Sequence, residues 1–345
     1  MDTVDVLIIG AGPAGATCAR LLRQYGYSVL LLKGPHSKNR VIETLPAALC
    51  NAGLAPVLPE MGRTSWWGSD GPVVEESSGP PRRCHIERAA LDGILLNNAQ
   101  SAGVNILQNS HAPSFDLSSG QVTHDHGTTT ARFIVDGTGR AGLLVRQIRR
   151  FWDDRYATVG VCRILRGADL DGVDPSHTLI EAFDTGWGWS IPFANGLRFV
   201  CLMVDAEDAR TGVEGAYNCA LEGAAHFGRM FKGAQPEGPV FGRDASLYWA
   251  ERYAGRNWIL IGDAASFADP VASFGLDNAL RSAEAAAATI RNCLADPASA
   301  EGALERYDTS ERTLYAALQN EAKRRFAKAG ARFRGAPFWE TRAAG

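Results

Sequence analysis

The chain of 345 residues contains no stretch of about 18 uninterrupted apolar residues, so a membrane-spanning helix is not expected. It has no long run of one charge sign. Its 35 basic and 38 acidic side chains leave a net charge of −3, and neither nucleic acid nor an anionic membrane is favoured as a partner. It has no C-x-x-C pair. The seven cysteines, at 18, 50, 84, 162, 201, 219 and 293, are dispersed, which predicts reduced thiols serving mostly as small core residues. There is no H-E-x-x-H. His124 and His126, two apart in a polar stretch, are the nearest approach to a metal pair, and no metal is expected. Internal repeats and low-complexity tracts are also missing. No basic leader or small-residue cleavage site precedes the apolar run at 4–9, so the expected location is cytoplasmic.

What is present is ordinary globular usage, 46% apolar and 21% charged, in a chain long enough for two lobes. Residues 4–9 predict a buried strand, 10–15 a glycine turn, 14–25 a helix and 28–32 a second buried strand. A strand, helix and strand of these lengths imply a parallel pair with a right-handed crossover. Residues 61–83, rich in Gly, Ser, Pro and Trp, predict a long loop. A helix is expected over 88–102, strands at 104–107 and 131–135, and alternating strands with one helix (214–230) between 151 and 250. A buried strand at 258–261 and helices at 276–294 and 300–329 complete the reading. The fold class is therefore α/β, with a Rossmann-type nucleotide-binding domain assembled from 1–150 and 251–300. A β-rich substrate lobe (151–250) is inserted into it, and a helical segment (301–345) follows.

The motif Gly10-x-Gly12-x-x-Gly15 follows a strand and opens a helix with Pro13 and Ala14, the context in which it binds a dinucleotide. The first glycine permits the turn, the second lets amides approach a pyrophosphate, and the third lets helix and strand pack. The end of the second strand usually carries an acid for the ribose hydroxyls, but here it holds Lys33, which cannot accept hydrogen bonds. Gly262-Asp263, at the end of a buried strand, offers an acid to a ribityl or ribose hydroxyl. The following segment, Phe267-x-x-Pro270-x-x-Ser273-x-Gly275-Leu276, leads into a helix whose first amides favour negative charge. Trp187-x-Trp189-x-Ile191-Pro192 puts two indoles on one strand face, either as core or as the wall of a flat site. Asp136-Gly137 ends a short strand, and Arg88 is a candidate pyrophosphate clamp.

These motifs occur in the order seen in flavin-dependent halogenases, and the chain resembles that family and its flavin monooxygenase relatives over roughly residues 1–295. Arg40-x-x-Glu43-Thr44-Leu45-Pro46 resembles the family's short G-E-S-L-P segment near the flavin, with Ile42 where glycine is usual. The resemblance implies a glutathione-reductase-like fold, noncovalent FAD, and activation of O2 by the reduced flavin. It implies Arg40 as a cofactor contact and Glu43, Trp187, Trp189 and Ser273 as site residues, with Glu43 the candidate base for the proton leaving the substrate ring.

Halogenases of this family use a lysine shortly after the G-E-S-like segment. The five lysines here lie at 33, 38, 232, 323 and 328, so that position is not filled; the region carries Thr64-Ser65-Trp66-Trp67-Gly68 instead. An arginine such as Arg63 does not release a proton to do the same work. Thr64 to Gly68 and the terminal Pro337-Phe338-Trp339-x-x-Arg342 resemble the flavoproteins that mature cysteine tryptophylquinone-bearing oxidases. That resemblance implies hydroxylation of a tryptophan in a partner oxidase precursor. A free aromatic substrate, halogenation by another route, and a reductase remain as alternatives. No second glycine-rich fingerprint is visible, so electrons come from free NAD(P)H or from a separate reductase. The oligomeric state is not legible.

Overall fold

A computed structural model describes residues 2–35, 40–50, 57–69, 71–77, 79, 83–109 and 111–344. Among these, the first sheet has eight strands, and its central path is built from parallel neighbours. Asp2–Ile9 lies between Val29–Lys33 and Gly127–Asp136, with Val6 opposite Val29 and Phe133. Asn105–Gln108 and Trp258–Leu260 extend it on either side. Val6, Leu7 and Ile8 are fully buried because helices cover the sheet, which is why these strands are continuously apolar rather than alternating. The helices Pro13–Gln24 and Gly275–Ala295 pack together, and their small residues Ala14, Cys18, Ala283 and Ala286 allow a close approach.

The second sheet also has eight described strands. Its core is antiparallel, running through Thr158–Arg166, Leu197–Asp205, Gly186–Phe193 and His177–Phe183. One face packs against Tyr217, Phe227, Met230 and Phe231. The expected single helix over 214–230 is two helices, Val213–Gly223 and Ala225–Phe231, broken at Ala224. The break has a cause. The Glu181 carboxylate reaches from the neighbouring strand and accepts the amides of His226 and Phe227, capping the second helix from outside. The opposite face carries Trp187, Phe199, Cys201 and Met203 and receives the C-terminal helices Ala300–Gly330 and Pro337–Ala343 through Phe326, Phe338 and Trp339. Trp339 is fully buried, and its Nε1 donates to the carbonyl of Phe183 at 2.9 Å.

Two further expectations are corrected. The stretch 61–83 is not a plain loop: Gly62–Trp66 and Val73–Glu76 form an antiparallel pair, and the first of them runs parallel to His177–Phe183 in the second sheet. The buried Thr64 and Trp66 and the need to pair a backbone that dips under cover explain this; the Gly, Ser and Trp composition hid it. The cysteines are not all free: Cys50 and Cys84 form a disulfide. Ile42–Pro46 pairs with Arg83–Glu87 so that Leu45 faces Cys84, and the short helix Ala47–Cys50 brings Cys50 back over it. Cys18, Cys162, Cys201 and Cys293 are free and buried. No helix of the described residues is long and apolar enough to cross a membrane.

Candidate functional site

The glycine turn divides its labour as its spacing predicts. Gly10 has φ +100, and a Cβ there would run into the carbonyl of Gly137. A Cβ on Gly15 would collide with the carbonyl oxygen of Gly10. At Gly12, by contrast, the nearest neighbour is Nη2 of Arg88, 3.4 Å from an ideal Cβ. Gly10 and Gly15 are thus required by chain against chain, whereas Gly12 leaves an approach that only an arginine overlooks. The helix that follows starts with Gly12 at its N-cap and Pro13 behind it, with no side-chain cap and no acid in its first turn. Its first amides are available to an anion.

Arg88 is fixed from two sides: Nη1 lies 3.0 Å from Glu43 Oε1, and Nε lies 2.9 Å from Asp92 Oδ1. The candidate clamp and the candidate base are therefore partners. Glu43 sits on Ile42–Pro46, directly across from Ile86. Arg40 pairs with Glu87 at 3.0 Å and lies over the Phe193 ring at 5.0 Å, which ties the flavin-type segment to the end of the Trp187–Trp189 strand.

Asp263 follows Trp258–Leu260 in a tight turn opened by Gly262, which has φ +56 and approaches Ala14 and Ala279 closely. Burial pushes the Asp263 carboxyl up to about 6, against the pull of Arg88 and Arg140, while Glu43 adds to the rise. The influences on it are burial and charge, with no hydrogen bond among them; its acceptor capacity is unused by the described protein. That is the arrangement an acid needs in order to hold ligand hydroxyls. Asp136 differs. Oδ1 accepts from the amide and hydroxyl of Thr138, and Oδ2 accepts from the amide of Leu144, so this fully buried carboxylate is engaged in shaping its own turn. Gly137 donates its amide to Ile9 and stands against Gly15. Lys33 ends the strand Val29–Lys33 opposite Gln108, at the expected ribose position.

In the late segment, Asp269 caps the turn Pro270–Ala272 by accepting from Val271. Ser273 adopts φ +51, and its Oγ accepts from Arg83 Nη1 at 3.1 Å. The helix at Gly275 opens into free space, with nothing within 4 Å of an added Cβ, and Leu276 anchors its first turn on the cluster of Ala16, Leu45 and Leu91. Trp187 and Trp189 do share a face, with ring centroids 5.2 Å apart. Trp187 is buried and meets Trp67 edge-on, and Trp67 in turn meets Trp339. Trp189 is half-buried, in the same cluster as Ile42, Val271 and Phe267. Trp187 is core, and Trp189 packs at the partly exposed margin of the same cluster.

Sequence reasoning missed Arg83 and Arg140. Arg140 lies over Phe267 at 4.4 Å and Tyr248 at 4.9 Å, and its charge acts on Asp263. Its position immediately after Asp136–Gly139 was the available signal. His124 and His126 bond Thr129 and the Gln108 carbonyl.

An uncapped helix start, an open Gly12, an arginine beside it and a half-buried acid with free acceptors fit FAD: pyrophosphate at Gly12 and Arg88, hydroxyls at Asp263. Residues 4–141 match the pyridine nucleotide-disulphide oxidoreductase family, and residues 82–344 match the tryptophan halogenase family. The chain is 26% identical over 341 residues to a tryptophan 2-halogenase of Chondromyces crocatus, covering 89% of this chain and 64% of that protein. It thus spans under two thirds of that relative. In fold it is similar to the flavin-dependent halogenase CmlS (TM-score 0.87, 24% identity, 100% of this chain and 68% of that one). It is also similar in fold to the peptidyl tryptophan dihydroxylase QhpG, essential for tryptophylquinone cofactor biogenesis (TM-score 0.76, 22% identity, 99% and 78%). With a family match over three quarters of its length, the chain belongs to the tryptophan halogenase family of flavin-dependent proteins.

Proposed function

We propose that this chain is an FAD-dependent monooxygenase that hydroxylates an indole ring, the side chain of a tryptophan in a partner oxidase precursor on the way to a tryptophylquinone. The observation that carries the reading is the run from 39 to 231 without a lysine, in a family whose halogenases use one just after the segment that here is Arg40–Pro46. Among the described residues, Lys328 reaches this region, packs its stem on Gly68 and lies exposed on the outside of the helix Ala300–Gly330. The fold of QhpG, a peptidyl tryptophan dihydroxylase, supports the substrate class.

Bound and reduced, FAD supplies the activation of O2, with NAD(P)H or a separate reductase as the source of electrons. The chain's own residues do the rest. Arg88 and the first amides after Gly12 hold the pyrophosphate, and Asp263 holds hydroxyls. The amides from Ser273 to Leu276, at the start of a helix, would favour negative charge on the flavin when it is bound. The cluster of Trp67, Trp187, Trp189 and Phe267 keeps water away from the reacting centre. Glu43 is the carboxylate within this segment that takes the proton leaving the substrate ring; its ion pair with Arg88 gives it the second role of positioning the clamp.

Halogenation is the competing reading, favoured by the family match itself. The test is to incubate the FAD-loaded protein with a flavin reductase, NAD(P)H, O2, bromide and a tryptophan-containing peptide. A product heavier by whole oxygen atoms supports hydroxylation. A bromine isotope pattern overturns it.

A further inference from the structure

The strand Val73–Glu76 closes one side of the second sheet, and all four of its residues are exposed. Ser77 donates its amide inward to the Met61 carbonyl at 2.8 Å. Alternation along an antiparallel pair then turns the peptide groups of Val74 and Glu76 outward, to where no described strand lies. Natural sheets blunt such edges. The far end of this same sheet does so with the two-residue strand Gln235–Pro236, whose proline has no amide to offer. Here the edge instead presents Met61, Val73 and Val74, which are 49%, 45% and 52% exposed. They are three of only five exposed large apolar side chains among the described residues.

Beside the edge lies a cavity of about 300 Å³, whose lining includes Glu60, Glu75, Glu76, Arg63 and Arg83. Both arginines have partners: Arg63 pairs with Glu60, and Arg83 donates to Ser273. Arg83 keeps its charge on that neutral hydroxyl, so the three carboxylates outnumber the two guanidiniums by one and set the sign of the recess; Glu76 is largely exposed although it touches His177. The Arg83–Ser273 contact connects this recess to the flavin-facing segment.

We propose that Val73–Glu76 is the docking edge for the polypeptide substrate. An extended segment of the partner adds as one more strand on the outward groups of Val74 and Glu76, and a lysine or arginine of that segment enters the recess at Glu75 and Glu76. This rests on the reading of the substrate as a polypeptide. An edge that gives main-chain bonds and a pocket for alternate side chains is how extended peptides are held with both affinity and selectivity.

The test uses the FAD-loaded protein without reductant, so that binding is read apart from turnover. The probe is a fluorescein-labelled peptide of alternating valine and threonine with one tryptophan and one lysine. Methylating alternate amides of the peptide should weaken binding about tenfold, the loss of two hydrogen bonds. Val74→Pro, which removes an outward amide while sparing the inward ones, should do the same at an unchanged melting temperature. Glu75→Gln should erase the preference for the lysine peptide over its glutamate counterpart. A methylated or glutamate peptide that binds as well as the parent overturns the docking edge. Peptide hydroxylation unaffected by Val74→Pro and by methylation overturns the edge and leaves the proposed function standing. Absence of any peptide binding, together with turnover of free indole, overturns both. Binding that appears only with dimerisation of the protein assigns the edge to a second copy of this chain and overturns the proposal.

Discussion

Glu43 and Arg88, 45 residues apart in sequence, meet at 3.0 Å, and the far nitrogen of the same guanidinium overlooks Gly12. Arg88→Ala should raise the dissociation constant for FAD about tenfold to a hundredfold, the worth of one charge-assisted hydrogen bond. Equilibrium dialysis or flavin fluorescence reads this directly. Glu43→Gln separates two roles. Retained FAD with slowed product formation marks Glu43 as the base; FAD loss approaching that of Arg88→Ala marks it as the residue that positions the clamp.

The glycines of the turn should fail in different ways. Gly15→Ala sets a methyl group against the Gly10 carbonyl and should destabilise the apoprotein by about 3 kcal/mol. Gly12→Ala meets only the flexible end of Arg88, so the apoprotein should stay within about 1 kcal/mol of the parent. FAD affinity, however, should collapse. Urea melts of the apoproteins combined with FAD titrations check both halves.

Asp263 should leave a signature in the pH dependence of the apoprotein. Its folded pKa, about 6, lies above the ordinary 3.8 because burial disfavours the charge. Its contribution to stability is therefore fully present below 3.8 and is lost as the pH rises through 6. Asp263→Asn should melt above the parent at pH 7, and the difference should shrink to nothing by pH 4. The same substitution should weaken FAD binding.

His85 should act in the opposite direction. It joins the two halves of the molecule, bonding Thr44 with Nδ1 and Thr178 with Nε2, and burial lowers its pKa from 6.5 to about 4. Glu60 opposes that fall; Arg198, Arg63 and Arg83 reinforce it. The stability of the neutral ring is complete above pH 6.5 and is lost as the pH falls through 4. His85→Gln should melt lower at pH 7 but lose less than the parent between pH 6.5 and 4, as scanning calorimetry would show.

The nucleotide half of the fold was legible because its signals are local. Val6 to Ile9 and Val29 to Leu32 are apolar runs flanking a glycine turn, and the turn's own spacing states its task. The second sheet was legible only as a tendency. Gly62–Trp66 finds its partner His177–Phe183 more than a hundred residues away, and no periodicity within the strand announces that. In the site, Gly12, Arg88 and Asp263 stood out by motif. The pairing of Glu43 with Arg88, the turn-shaping use of Asp136 and the contact of Arg83 with Ser273 depend on how separate segments cross. The break at Ala224 is similar, since the carboxylate responsible belongs to a strand 43 residues earlier, at Glu181.

The Cys50–Cys84 bond closes a ring of chain whose sequence separation is 34, and the strands Gly62–Trp66 and Val73–Glu76 both lie inside it. By the chain-entropy account a closure of this size restricts the unfolded ensemble by about 4 kcal/mol. This pair of strands is thereby rooted at one covalent knot beside Leu45, at the base of the segment that carries Glu43. A protease that cuts once within the ring would leave a single molecule under non-reducing conditions and release two fragments only after reduction. The edge strand Val73–Glu76 is, in that sense, a handle fastened at both of its ends beside the segment that carries Glu43.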